Sequence, residues 1–369
     1  MKELRVYVGT YTEPIKFGTG KILEGKGEGI YLFRMNPVTG AMRLCGTTTG
    51  VTNPSYLAID RSNRFLYAVN ELKLYEGQPS GSVSAFAIDR EKDSLSLLNR
   101  RPTGGTDPCH LVIDRAGTHV LVANFMSGSV CVLPILKDGS LDDQCDFRQH
   151  QGSSADPVRQ SSPHAHAVTL DQGGRYLFVP DLGLDAVVCY RYDSSSGTLS
   201  PAEGARIPTR PGAGPRHLAF RPDGRMAYLV NELNSTVTAF SYSARDGALH
   251  ERQTVSTLPA DFQGSSTCAD LHVSPQGNFL FGSNRGHDSI AVYRVDPAAG
   301  TLQLTGHYAT GGRTPRNFAL DPAGRFLLAA NQDSDMVRVF SVDPESGALA
   351  PTPTVVDVPT PVCVKIVPS

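Results

Sequence analysis

The chain has 369 residues, 34 Lys and Arg against 36 Asp and Glu, a formal net charge of -2, and 40% hydrophobic residues. A balance so near neutral, with no basic or acidic run, argues against nucleic acid or a charged membrane surface as the main partner, and no apolar run is long enough to span a bilayer. The seven Cys are odd in number and form no C-x-x-C pair, which reads as reduced thiols in a soluble, cytoplasmic protein.

The N-terminal "MKELRVYVGTY" enters an alternating strand pattern at once, with no apolar signal core. A repeat follows. Its anchors are the apolar residues just before a tight turn, Ile59, Ile113, Leu170, Phe220, Val273 and Leu320, spaced roughly 50 residues apart as propeller blades are. Four residues after each anchor stands Asn63, Gly117, Gly174, Gly224, Gly277 or Gly324, where a hairpin turn requires positive φ. Eleven after each stands Asn70, Asn124, Asp181, Asn231, Asn284 or Asn331, a column suited to capping turns and loops.

A second hairpin follows in every unit, its turn written "NPVTGAM", "REKDSL", "KDGSL", "SSSGTL", "RDGAL", "DPAAGTL" and "DPESGAL". Two hairpins give four strands. The remaining first hairpin is split between "LRVYVGT" at the N-terminus and "PVCVKIV" at the C-terminus, where Pro361 and Ile366 occupy the places of Pro315 and Leu320. The pattern predicts an all-β chain, a single domain over residues 1–369: a seven-bladed β-propeller of four antiparallel strands per blade, closed by the C-terminal strand joining the N-terminal blade. Helical pattern is nearly absent, segments such as "QGSSADPVRQSSPHAH" read as connecting loops, and "ELKLYEGQPSG" reads as a flap on the rim. With no Trp in the chain, a WD-type scaffold is a poor match.

In this register the residue four before the anchor pairs with the residue eleven after it, at the hairpin end away from the turn. The first column reads Ser55, Cys109, His166, Arg216, Ala269 and Arg316; the residues twelve after the anchor read Glu71, Phe125, Leu182, Glu232, Arg285 and Gln332. Structural charge should recur in every blade, yet His166, Arg216, Glu232 and Arg285 cluster in blades four to six, counting the N-terminal blade as first. Such asymmetry points to a site on one face. The bland alternative for Arg216 and Glu232 is one exposed rim ion pair worth about 0 to 1 kcal/mol. His164 and His166 suit a metal, a base or a polar loop, with no third ligand at metal spacing. His110 and His217 share a column and read as packing residues. No G-x-S-x-G, G-x-G-x-x-G or P-loop is placed to function.

Together "GAGPRHLAFRPDG…VNELNSTV", "SPHAHAVTLDQGGRYLFVPDLG", "ADLHVSPQG", "SNRGHDSI" and "TPRNFALDPAGRFLLAANQDS" resemble the seven-bladed propeller lactonases, a family containing bacterial 6-phosphogluconolactonases and fungal carboxy-muconate cyclases. The resemblance runs over all seven blades and implies a metal-independent fold with its site at one end. In the cyclase branch a His, an Arg, a Glu and a second Arg are the proposed active-site groups. Matched by motif, these fall on His166, Arg216, Glu232 and Arg285, with His164 the alternative to His166.

The reaction expected is hydrolysis of a sugar-acid lactone, 6-phosphogluconolactone of the pentose phosphate pathway above all. His166 would act as base, the two Arg would bind anion and oxyanion, and Glu232 would orient an Arg or hold a sugar hydroxyl. His164, Asp181, Glu71 and Arg316 are the candidate substrate-binding residues, with no metal or cofactor. The partner is a small anionic lactone and the protein a monomer or weak homo-oligomer. The alternatives are a cyclase or lactonase for a non-phosphorylated acid, and a non-catalytic propeller that binds a protein or sugar.

Overall fold

The computed structural model describes residues 2–17 and 19–369. They form seven four-stranded antiparallel sheets and one small two-stranded hairpin. The only helical segment among the described residues is a 3-10 turn at Gln332–Ser334. Residues Asn63, Gly117, Gly174, Gly224, Gly277 and Gly324 all have φ between 54° and 76°, so the turn column has the backbone geometry that its residue types suit.

The alternation of each strand follows its depth in the blade. The second strands are buried on both faces, as in Met226–Asn231 of blade five, because the blade packs between two neighbours. Outermost strands such as Leu349–Asp357 of blade seven are largely exposed. The core therefore lies between blades rather than at the ring centre. Phe279, Phe281 and Val292 of blade six pack against Phe318, Leu327 and Phe340 of blade seven, each such side chain contributing about 1.5–3 kcal/mol when fully buried.

The ring closes as the split hairpin requires. Strand Leu4–Thr10 pairs antiparallel with Pro361–Pro368, from Leu4 opposite Pro368 to Thr10 opposite Pro361, and on its other side with Ile30–Met35. Val6 and Val8 then join Leu328, Ala330 and Val337 in a core shared with blade seven.

One expected pairing is corrected. In blade five Pro215, not Arg216, lies opposite Asn231, and His217 lies opposite Val230, so Arg216 is an extra residue extruded at a β-bulge. The same bulge extrudes Ser55, Cys109, Arg316 and Val362. In blade six the shift falls at Ala269–Asp270. Blade four is bridged only at Ala165–Asp181 before its short strand Thr169–Leu170, leaving His166 in the equivalent place. A bulge bends the strand and re-aims its side chain; here it turns the extruded side chains toward the ring axis at the end opposite the tight turns.

The Asn column caps as expected. Asn231 Nδ2 donates to Thr236 and Thr238, and Asn284 Nδ2 to Thr257 O and Ser289. Not foreseen was the hairpin Ile15–Lys16 with Ile22–Leu23, which rests through Ile15, Phe17 and Leu23 on Tyr11 and Val362. The segment read as a rim flap is tied down by Lys73, 3.1 Å from Asp107.

Deleting residues 361–369 removes the partner of Leu4–Thr10 and leaves unpaired edges on both sides of the seam. The truncated chain should be poorly soluble and melt far below the parent; scanning calorimetry giving an unchanged Tm would show that the seam does not close the ring.

Candidate active site

At the bulge end of the axis a cleft of about 290 Å³ is walled by Glu71, Asp107, Cys109, Phe125, Arg159, His166, Glu232, Arg285 and Arg316 from the blades, with Lys16, Phe17 and Lys21 from the small hairpin. Beneath it is a chamber of about 10 Å³, the size of a single water molecule. Six of the seven extruded residues, Ser55, Cys109, His166, Arg216, Arg316 and Val362, line that chamber together with Glu71 and His217.

Glu232 organises the charge. Its Oε2 accepts from Arg216 Nε at 3.0 Å and lies 3.0 Å from Arg285 Nη2, while Oε1 accepts from Arg159 Nη2 at 2.7 Å. Only 5% of the residue is exposed. Burial alone would raise its carboxyl pKa, but Arg285, Arg159 and Arg216 hold it well below the usual carboxylate range. Burial and Arg285 pull Arg216 down to about 10, against Glu232, so the guanidinium stays charged at neutral pH. Arg216 Nη1 donates to Ala269 O and approaches His217 Nε2 at 3.3 Å. Among the described residues Nη2 has no acceptor, on a side chain that lines the chamber.

His166 is buried, and burial, reinforced by Arg216, His217 and Arg316, pushes its pKa well below 6.5. It is therefore neutral at pH 7. Its Nδ1 is 3.8 Å from the Cys109 thiol, and among the described residues its Nε2 has no hydrogen-bond partner. Arg316 lies over the Tyr11 and Phe17 rings at 5.5 and 5.2 Å and forms no ion pair among the described residues. Glu71 accepts from the Tyr11 hydroxyl at 2.9 Å; burial raises its pKa against the pull of Arg316.

The match to known proteins covers nearly the whole chain. A family model described as "Lactonase, 7-bladed beta-propeller" matches residues 5–366. A Bacillus subtilis 6-phosphogluconolactonase is 37% identical over 359 residues, 97% of each chain. The structure of a Pseudomonas aeruginosa periplasmic gluconolactonase superposes with a TM-score of 0.90 at 37% identity over 99% of each chain. A Bacteroides fragilis structure superposes at 0.89 with 38% identity, over 99% of this chain and 98% of its own.

The chain belongs to the seven-bladed β-propeller lactonase family.

A lactonase is an ester hydrolase, and the cleft of this one gathers most of the residues singled out from the sequence. His166, Glu232, Arg285, Glu71 and Arg316 stand on its wall, and Arg216 is on the chamber below. His164 and Asp181 do not reach it. His164 stacks on Phe125 at 4.7 Å, with Nδ1 3.0 Å from Phe125 O. Asp181 is fully buried, its Oδ2 2.6 Å from His150 Nδ1 and its Oδ1 accepting from the His164 and Leu184 amides.

One further reading changes and another is extended. Arg216 and Glu232 are no exposed rim pair, being 3% and 5% exposed. His217 packs as expected, its ring 5.3 Å from His110 and 5.4 Å from His166, and is in addition hydrogen-bonded between Asp270 and Arg216. Sequence reasoning also missed Arg159, because the segment from 151 to 166 reads as a connector and has no counterpart in other blades. Missed too were Lys16 and Lys21, on an insertion outside the repeat. Among the described residues no group of three His, Cys, Asp or Glu is placed to hold a metal ion.

Removing one member of a buried charge cluster strands the others. Glu232→Ala should cost about 3–5 kcal/mol in urea denaturation; a loss under about 1 kcal/mol would mean that water already screens the three Arg. The pH dependence has a definite sign. Because His166 titrates below its unfolded value of 6.5, the unfolded chain binds the extra proton, and stability falls as pH drops below 6.5. Between pH 7 and 5 the Tm of His166→Gln should fall less than that of the parent; equal slopes would place His166 in contact with solvent.

Proposed function

We propose that the protein hydrolyses 6-phosphogluconolactone to 6-phosphogluconate, with His166 as general base and no metal ion. The observation that carries this reading is Arg316, a cation on the cleft wall held by aromatic rings and forming no ion pair among the described residues. It stands beside Lys16, Lys21, Arg159 and Arg285, an arrangement that suits a substrate bearing two or more negative charges. The names of relatives in Bacillus subtilis and Formosa agariphila, both 6-phosphogluconolactonases, support the same substrate. Seven unpaired cysteines support a reducing, cytoplasmic setting.

In the proposed step, His166 Nε2 takes a proton from water as the water oxygen bonds to the lactone carbonyl carbon. The carbonyl electrons move onto oxygen, which faces Arg216 Nη2 as the oxyanion donor. When the tetrahedral intermediate collapses, the ring C–O bond breaks and the departing oxygen takes the proton back from His166. One water has been added across one ester bond, and the new carboxylic acid releases a proton to solvent. Glu232 holds the Arg side chains in place and keeps the surplus positive charge in check, while Arg285 and Arg316 grip the substrate's anionic group.

The test is proton release on adding fresh 6-phosphogluconolactone, compared with gluconolactone. The phosphorylated lactone should be strongly preferred, and prolonged EDTA treatment should leave the rate unchanged. His166→Gln should lower kcat by about 10² and abolish the acidic limb of the pH profile, which for the parent lies below pH 6.5; His164→Gln should change little. Equal rates on the two lactones would overturn the substrate assignment, and parental turnover by His166→Gln would overturn the base.

A further inference from the structure

Joining the chamber wall at His217 is a second polar cluster that the proposed step does not use. His217, 7% exposed, and Asp270, 1% exposed, come from the innermost strands of blades five and six. His217 Nδ1 lies 2.8 Å from Asp270 Oδ1. Asp270 Oδ1 also accepts from the Leu271 amide at 2.9 Å, and Oδ2 lies 3.0 Å from His272 Nε2 and within bonding distance of Asn317 Nδ2 and the Phe318 amide. A carboxylate so firmly held cannot turn to follow a moving partner.

The consequence runs along the hydrogen bonds. With Asp270 as acceptor, His217 carries its proton on Nδ1, which leaves the Nε2 lone pair facing Arg216 Nη1 at 3.3 Å. A guanidinium has no lone pair to offer, so this contact exists only in that tautomer. Burial and Arg216 push the His217 pKa down to about 4, against Asp270, so the ring stays neutral at neutral pH. Arg216 is thereby fixed at three points, Nε on Glu232 and Nη1 on both Ala269 O and His217 Nε2. Among the described residues Nη2 alone of its three nitrogens has no acceptor, on a side chain that lines the chamber.

The geometry points to Asp270 and His217 as a positioning pair for Arg216: Asp270 sets the His217 tautomer, and His217 sets the rotation of the guanidinium that presents Nη2 to the reacting oxygen. This rests on the reading of Arg216 as oxyanion donor. A group aimed ahead of the reaction stabilises charge with no reorganisation at the moment it forms, so loss of the pair should act on kcat and spare KM.

A double-mutant cycle tests it. His217→Leu removes the acceptor and should lower kcat by about 30-fold or more while KM stays within about twofold. His217→Gln, whose carbonyl can still accept from Nη1, should keep kcat within about fivefold of the parent. In an Arg216→Lys background His217→Leu should cost less than about twofold more, because residues that act through one another are not additive. Nitrogen-15 NMR of the unaltered protein at pH 7 should show His217 protonated on Nδ1 and bare on Nε2, a readout that needs no variant to fold. The Nε2–H tautomer, or a full further loss in the Arg216→Lys background, overturns the positioning pair alone. An undiminished kcat in Arg216→Lys itself overturns the reading of the cleft on which the pair depends.

Discussion

One extra residue in the innermost strand of each blade decides what this propeller can do. A regular antiparallel pair would send successive side chains alternately into the two inter-blade cores, leaving little but backbone at the ring axis. The bulge breaks that alternation at one point per blade, after Pro54, Pro108, Pro215, Pro315 and Pro361 in five of them. Proline suits that position: it pairs at the strand's end, where a missing N–H costs little. Six bulges and the equivalent place in blade four make seven inward positions on the ring, which differ in the residue that fills each. Val362 and Ala269 are apolar, Ser55 and Cys109 weakly polar, and His166, Arg216 and Arg316 bring an imidazole and two guanidinium groups to the chamber.

Filling a buried axis with cations requires a compensating anion, and Glu232 supplies it from the second strand of blade five. One carboxylate touching three guanidinium groups leaves the cluster net positive. The cluster is therefore poised for an anion from outside and disfavours any cation that enters. Burial, reinforced by Arg216, His217 and Arg316, holds His166 neutral at the edge of that cluster.

The sequence made the ring legible because turn chemistry and strand alternation repeat in register, and a repeat averages out local ambiguity. Even the seam was readable, since Pro361 and Ile366 match Pro315 and Leu320. The bulge was not, because one added residue at a strand end does not disturb the apolar pattern near the turn; the Pro column was its visible trace. Among site residues, those on the repeat stood out against their counterparts in other blades. Arg159, Lys16 and Lys21 lie on segments outside the repeat, where no counterpart exists for comparison. His164 differs for another reason: two imidazoles in H-A-H look equivalent in sequence and both rings touch Phe125, but only His166 lines the cleft.

The seam also has a bearing on when the molecule begins to work. Strand Leu4–Thr10 must wait for a partner more than three hundred residues later in the chain, the kind of distant pairing that makes folding slow. During synthesis the early blades can assemble one upon another. The chamber cannot, because Val362 forms part of its wall and the Arg316 blade arrives only shortly before. A nascent chain therefore carries His166 and the Glu232 cluster on an open arc, without the last wall. Catalytic competence arrives in a single late event on the ribosome's timescale, after nearly every residue of the blades is already in place.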